Sequence, residues 1–191
     1  MSHQSRSDSR EQLRQLIKEL AVVHGQVTLA SGRIAQYYID LRRVTLHHQA
    51  APLVGQLMLD MLAAAGLGPP QVGAVGGLTM GADPVAAALL HAVAARGAQL
   101  DAFVVRKEAK THGLQRQVEG PDVSGRDVVV VEDTSTTGGS VLTAVKALVA
   151  AGANVKGVAV IVDRATGARE LIEQSGLAYF SLFDLADLDL D

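Results

Sequence analysis

The 191-residue chain sets 17 Lys and Arg against 20 Asp and Glu, and its net charge of −3 offers no overall basic excess for a nucleic-acid footprint. With 48% hydrophobic and 19% charged residues, the composition excludes a disordered chain and is long enough for one domain with a real core. The absence of Cys excludes disulfides, thiol catalysis and zinc–thiolate sites, and no apolar run reaches the roughly 18 residues of a membrane span.

Residues 1–10 are polar, Ser- and Arg-rich, and are expected to form a disordered leader with no signal segment. Leu13, Leu16, Ile17, Leu20 and Val23 then recur on one helical face, predicting a helix over 11–23. Residues 27–44 read as a short hairpin or an extended arm. A helix over 51–65 is stopped by Gly66, and a short strand over 72–75 runs into Gly76-Gly77. In the next helix Asp83 is placed as the cap and Pro84 as the first helical residue. Strands follow over 100–105 and 128–131, a helix over 137–150, a strand over 155–162, a short helix over 167–174 and a last strand over 178–183. Such alternation implies right-handed crossovers and a mainly parallel sheet flanked by helices, an α/β fold. The unpatterned stretch 107–126 is long enough to be a functional lid.

Val128 to Val131 lack alternation, as expected of a strand buried on both faces. They run into Glu132-Asp133 and then Thr134-Ser135-Thr136-Thr137-Gly138-Gly139-Ser140. Small hydroxyl and glycine residues leading into a helix N-terminus offer N–H and O–H donors to a phosphate. Carboxylates beside a phosphate need another partner, such as sugar hydroxyls or Mg²⁺. A ribose phosphate satisfies both. This segment resembles the ribose-phosphate loop of the type I phosphoribosyltransferases. By that resemblance Glu132 and Asp133 face the ribose, and Thr134, Ser135, Thr136, Thr137, Gly138, Gly139 and Ser140 hold the 5′-phosphate.

Residues 106–113 read Arg-Lys-Glu-Ala-Lys-Thr-His-Gly, and with Arg116 they set four Lys and Arg against Glu108 alone. A cationic loop suits a pyrophosphate leaving group whose negative charge grows in the transition state. The order of residues resembles the catalytic loop of the orotate phosphoribosyltransferases. That resemblance implies that Arg106, Lys107, Lys110 and His112 engage pyrophosphate. It also implies a homodimer whose loop closes over the partner's active site. Lys110, His112 and Asp133 are the expected catalytic residues.

Two further segments match the same family. Ser31-Gly32-Arg33 followed by Tyr37-Tyr38-Ile39-Asp40 resembles its aromatic hood arm, with Tyr38 over the pyrimidine. Asp163-Arg164 resembles the pair whose arginine grips the orotate carboxylate, with Thr136 also near the base. The implied domain plan is leader 1–10, helix and hood arm 11–48, and core 49–191 carrying a flexible loop 107–126. Ala30 and Met80 stand where many members carry Lys, so pyrophosphate contact is expected to rely on backbone N–H groups of residues 78–81 and on the lid. His47-His48 lack a third ligand at recognisable spacing, and His24 and His91 read as surface residues.

The implied ligands are orotate and phosphoribosyl pyrophosphate. Mg²⁺ is expected through the latter, with Asp133 reached through water and no direct protein ligand. Neither a nucleic acid nor a membrane is expected as partner, and the expected location is the cytoplasm. Two alternatives stay open: a phosphoribosyltransferase for another base, or a non-catalytic phosphosugar-sensing regulator of the same fold.

Overall fold

The computed structural model describes residues 3–28, 34–108 and 116–190. Helix α1 (His3–Leu20) leads into an antiparallel hairpin, β1 (Val22–Thr28) and β2 (Ile34–Ile39), then the single turn α2 (Arg42–Thr45) and helix α3 (Ala50–Ala64). The core continues through β3 (Ala74–Leu78), α4 (Ala82–Ala95), β4 (Asp101–Val105), β5 (Val118–Glu119), β6 (Asp127–Ser135), α5 (Gly139–Ala150), β7 (Asn154–Asp163), α6 (Ala168–Gln174) and β8 (Ala178–Phe183). A 3-10 turn at Ala186–Leu188 follows.

Six strands lie in the order β5-β4-β3-β6-β7-β8, parallel throughout except for the antiparallel edge pair β4–β5. Strand β6 is central, and Val128 to Val131 are completely buried. Because strand side chains alternate, Val129 and Val131 join the apolar cluster under α1, α3 and α4, while Val128 and Val130 join the cluster under α5 and α6. One tetrapeptide therefore anchors both layers. At the carboxyl end of the sheet this fixes where the chain leaves β6 and β7, which is where ligands bind in open α/β sheets.

Several expectations need correction. The helix begins at His3 rather than after a disordered leader, because the leader arginines find distant partners: Arg6 pairs with Asp60 at 3.2 Å, and Arg10 pairs with Asp187 and stacks on Phe183. It ends at Leu20, since Val22 and Val23 pair with Ile39 and Tyr38 in the hairpin. Asp83 lies inside the first turn of α4 and does not cap it; its carboxylate accepts a hydrogen bond from Thr79 Oγ1 at 2.8 Å. Stretch 107–126 is not one loop, because Val118 and Glu119 pair with Val105 and Val104.

Candidate active site

A cavity of about 510 Å³ opens at the carboxyl ends of the central strands. Strand β6 contributes Glu132, Asp133 and Thr134, the following loop Thr136, the first turn of α5 Ser140, and the turn just after β7 Arg164. The turn between β3 and α4 adds Leu78, Thr79, Met80 and Gly81. Tyr38 of β2 and the Asp40–Arg42 run close the cavity from the hairpin side, and Lys107 enters from the start of the lid.

The acidic pair is held at close quarters. Glu132 is buried and Asp133 half-buried. The Asp133 N–H donates to Glu132 Oε1 (3.1 Å), and the Thr134 N–H donates to Asp133 Oδ1 (2.7 Å). Burial, followed by the charge of Asp133, pushes the Glu132 carboxyl up to about 8. Burial also raises Asp133. Two neighbouring carboxyls in this setting resist carrying two charges, so the pair holds a proton more tightly than ordinary carboxyls do. Across the cavity Gly81 leaves the pair its room: a Cβ there would collide with Glu132 Oε1 and approach Asp133 Oδ1 to 2.7 Å.

The run 134–140, from the end of β6 through the turn into α5, divides into parts with different roles. Thr134, Thr136 and Ser140 line the cavity. Gly138 adopts a left-handed conformation (φ 78°) that turns the chain into α5, and its carbonyl accepts the Leu142 N–H at 2.9 Å. Ser135 departs from expectation: its side chain is buried in the core, and its register partner on β7 is Asp163. Only its backbone faces the turn above, where its carbonyl accepts the Arg164 N–H at 3.0 Å. Thr137 and Gly139 are exposed and lie outside the cavity lining, as does the buried Gly138.

Arg106 lies at the base of the lid. Its guanidinium lies 4.0 Å from Glu119 on β5, and Arg106 is not part of the cavity lining. Lys107 is. Lys110 and His112 lie outside the described residues, as do Ala30, Ser31, Gly32 and Arg33. Tyr38 and Arg164 are brought into the same cavity as the acidic pair, although 126 positions separate them in the chain (164 − 38).

Arg42 is a cavity residue that sequence reasoning missed. It is exposed, its Nε donates to Asp40 Oδ1 at 2.8 Å, and its charge acts on Asp133. Its place just after the Tyr-Tyr-Ile-Asp run was the one available signal, and no spacing rule attaches chemistry to it. A parallel α/β sheet with a buried acidic pair, a hydroxyl-rich loop and a cationic lid base in one cavity defines a type I phosphoribosyltransferase.

Comparison with known proteins agrees. The phosphoribosyl transferase domain family matches residues 45–175. Orotate phosphoribosyltransferase of Streptomyces avermitilis is 64% identical over 185 residues, 96% of this chain and 99% of that protein. The Corynebacterium glutamicum enzyme of that name is 57% identical over 190 residues, covering 100% of this chain and 99% of the relative. The crystal structure of Mycobacterium tuberculosis orotate phosphoribosyltransferase in complex with 5-phospho-α-D-ribosyl 1-diphosphate superposes with a TM-score of 0.81 at 52% identity, covering 95% of this chain and 99% of that one. The chain belongs to the orotate phosphoribosyltransferase family.

Proposed function

We propose that this cavity binds phosphoribosyl pyrophosphate and orotate together and transfers the 5-phosphoribosyl group, giving orotidine 5′-monophosphate and pyrophosphate in pyrimidine synthesis. The observation that carries the reading is the placing of Glu132-Asp133, Thr136 and Ser140 with Arg164 and Tyr38 around one cavity. The 5′-phosphate sits on the loop between β6 and α5, where backbone N–H groups and hydroxyls replace its water. The ribose lies against the acidic pair, and the pyrophosphate lies at the turn between β3 and α4, facing Lys107. Orotate stacks on Tyr38, with its carboxylate in the guanidinium fork of Arg164.

In the transfer, N1 of orotate, its proton released to solvent, bonds to C1 of the ribose as the bond from C1 to the pyrophosphate oxygen breaks and its electron pair leaves with pyrophosphate. Positive charge develops on the sugar, and the Asp133 carboxylate stabilises it. Lys110 and His112 stabilise the departing pyrophosphate and deliver a proton to it. Closure of the lid would exclude water that could capture the activated sugar.

Mg²⁺ is the proposed cofactor. The donor set fits it: Asp133 lines the cavity beside Glu132, burial makes a second charge on this pair costly, and a dication held on the substrate there would favour the ionised carboxylate. When bound, it neutralises pyrophosphate charge. We further propose a homodimer with the lid shared between subunits, on the strength of the residue order in 106–113, and a cytoplasmic location. Among the described residues no helix is long and apolar enough to cross a membrane.

The test is release of pyrophosphate from phosphoribosyl pyrophosphate with orotate, uracil or adenine as acceptor, with Mg²⁺ and with chelator. Release that requires both orotate and Mg²⁺ is expected. Release with uracil or adenine alone would reassign the acceptor, and no release with any base would point to a non-catalytic binder.

A further inference from the structure

The turn after β7 is fastened to the phosphate loop. Arg164 donates its N–H to the Ser135 carbonyl (3.0 Å), and two residues on, Thr166 Oγ1 donates to the Thr136 carbonyl (2.6 Å). Between them Ala165 holds φ 50°, a conformation that a residue with a Cβ rarely adopts, and its N–H is taken by Asp163 Oδ1 at 2.9 Å. Asp163 itself is buried at the end of β7, with the Arg169 guanidinium 3.9 Å away. The turn is thus fixed below by Asp163 and sideways by Thr166. Thr166 is exposed and outside the cavity lining, and meets the site only through the backbone of Thr136.

We infer that Thr166 is a positioning residue: its hydroxyl latches the Arg164 turn to the phosphate loop and so sets the arginine for the acceptor carboxylate. This rests on the assignment of Arg164 to orotate. A guanidinium fork grips a carboxylate only when both N–H bonds line up, so freedom in the backbone of residues 164–166 weakens the grip before it affects anything else. The latch runs from the acceptor side to the loop that carries the phosphosugar. Its loss therefore lets the two substrates drift apart, while the exposed position spares the core.

Steady-state kinetics on Thr166→Val, Thr166→Ser, Arg164→Ala and the Arg164→Ala/Thr166→Val double variant test this. Valine keeps the shape and removes the donor; serine keeps the donor. Thr166→Val is expected to raise the orotate KM about fivefold, the factor set by one net hydrogen bond, with a smaller change in the KM for phosphoribosyl pyrophosphate. Thr166→Ser is expected to stay near the parent, and the valine change is expected to add nothing once Arg164 is gone. The latch is overturned if serine and valine behave alike, if the rise falls on phosphoribosyl pyrophosphate alone, or if the effects of Thr166→Val and Arg164→Ala multiply. If Arg164→Ala itself leaves the orotate KM unchanged, the assignment of Arg164 fails and the latch with it, a result distinct from a Thr166→Val that is silent while Arg164→Ala is not.

Discussion

Arg106 and Gln117 hold each other twice: the Arg106 N–H donates to the Gln117 carbonyl, and the Gln117 side-chain amide donates back to the Arg106 carbonyl, both at 2.9 Å. With the antiparallel pairing of β4 and β5 just inside them, the two residues form the neck through which the lid leaves and re-enters the sheet. If the segment between them closes over the site during turnover, this neck is the fixed point from which it would do so.

Gln117→Ala removes the side-chain half of this neck and leaves the backbone half. The expected result is a turnover about two- to fivefold lower, with stability reduced by less than about 1 kcal/mol, the scale of one partly exposed hydrogen bond. Stopped-flow turnover together with urea denaturation checks it. A variant as fast as the parent would mean that the neck does not limit lid closure.

Lys110 tests the lid chemistry rather than its hinge. If the side chain meets charge that grows only as pyrophosphate leaves, its contribution belongs to the transition state, and kcat and kcat/KM should fall together. Lys110→Ala is expected to lower turnover on the order of a hundredfold while orotate binding, measured calorimetrically, changes little. Loss confined to binding would remove Lys110 from the chemistry.

The sheet was legible where hydrophobic runs are bounded by glycine. Strand β8 has the expected limits, and Val128 to Val131 mark the first half of β6. The strand's continuation through Glu132 to Ser135 was not legible, because the acidic pair Glu132–Asp133 disfavours strand locally and the run is held extended by pairing with β7, Thr134 opposite Val162 and Ser135 opposite Asp163. That extension is what turns the Ser135 hydroxyl into the core. Strand β5 is two residues long, too short for any period to appear. The first turns of α1 depend on Asp60 and Asp187, partners remote in sequence, and so left no local trace. Arg42 was hidden for the same reason: only the hairpin's docking brings it beside the acidic pair.

Gly81 makes that pair sensitive to one methyl group. The Cβ of Gly81→Ala would overlap Glu132 Oε1 and crowd Asp133, whose Oδ1 is already engaged by the Thr134 N–H. The carboxyls must swing aside or the turn must back off. Overpacking of this kind costs about 1–3 kcal/mol of stability. Affinity for phosphoribosyl pyrophosphate, read by calorimetry, should fall on the order of tenfold as the carboxyls lose their alignment. Parent-like affinity would mean that the acidic pair does not touch the sugar.

The last prediction concerns pH. Glu132 has a folded-state value of about 8 against an ordinary 4.5, so between these two the folded chain keeps a proton that the unfolded chain has released. Proton uptake on folding makes stability decline as pH rises through that window, the reverse of a salt-bridged carboxylate. The loss levels off once pH exceeds about 8, and for a buried carboxyl it is on the order of a few kcal/mol. Glu132→Gln keeps the shape and cannot ionise. Its urea midpoint should be nearly flat from pH 5 to 9, where the parent's falls, so the two curves should separate in favour of the glutamine variant at the alkaline end. Parallel curves would show that the proton lost in this window comes from another group.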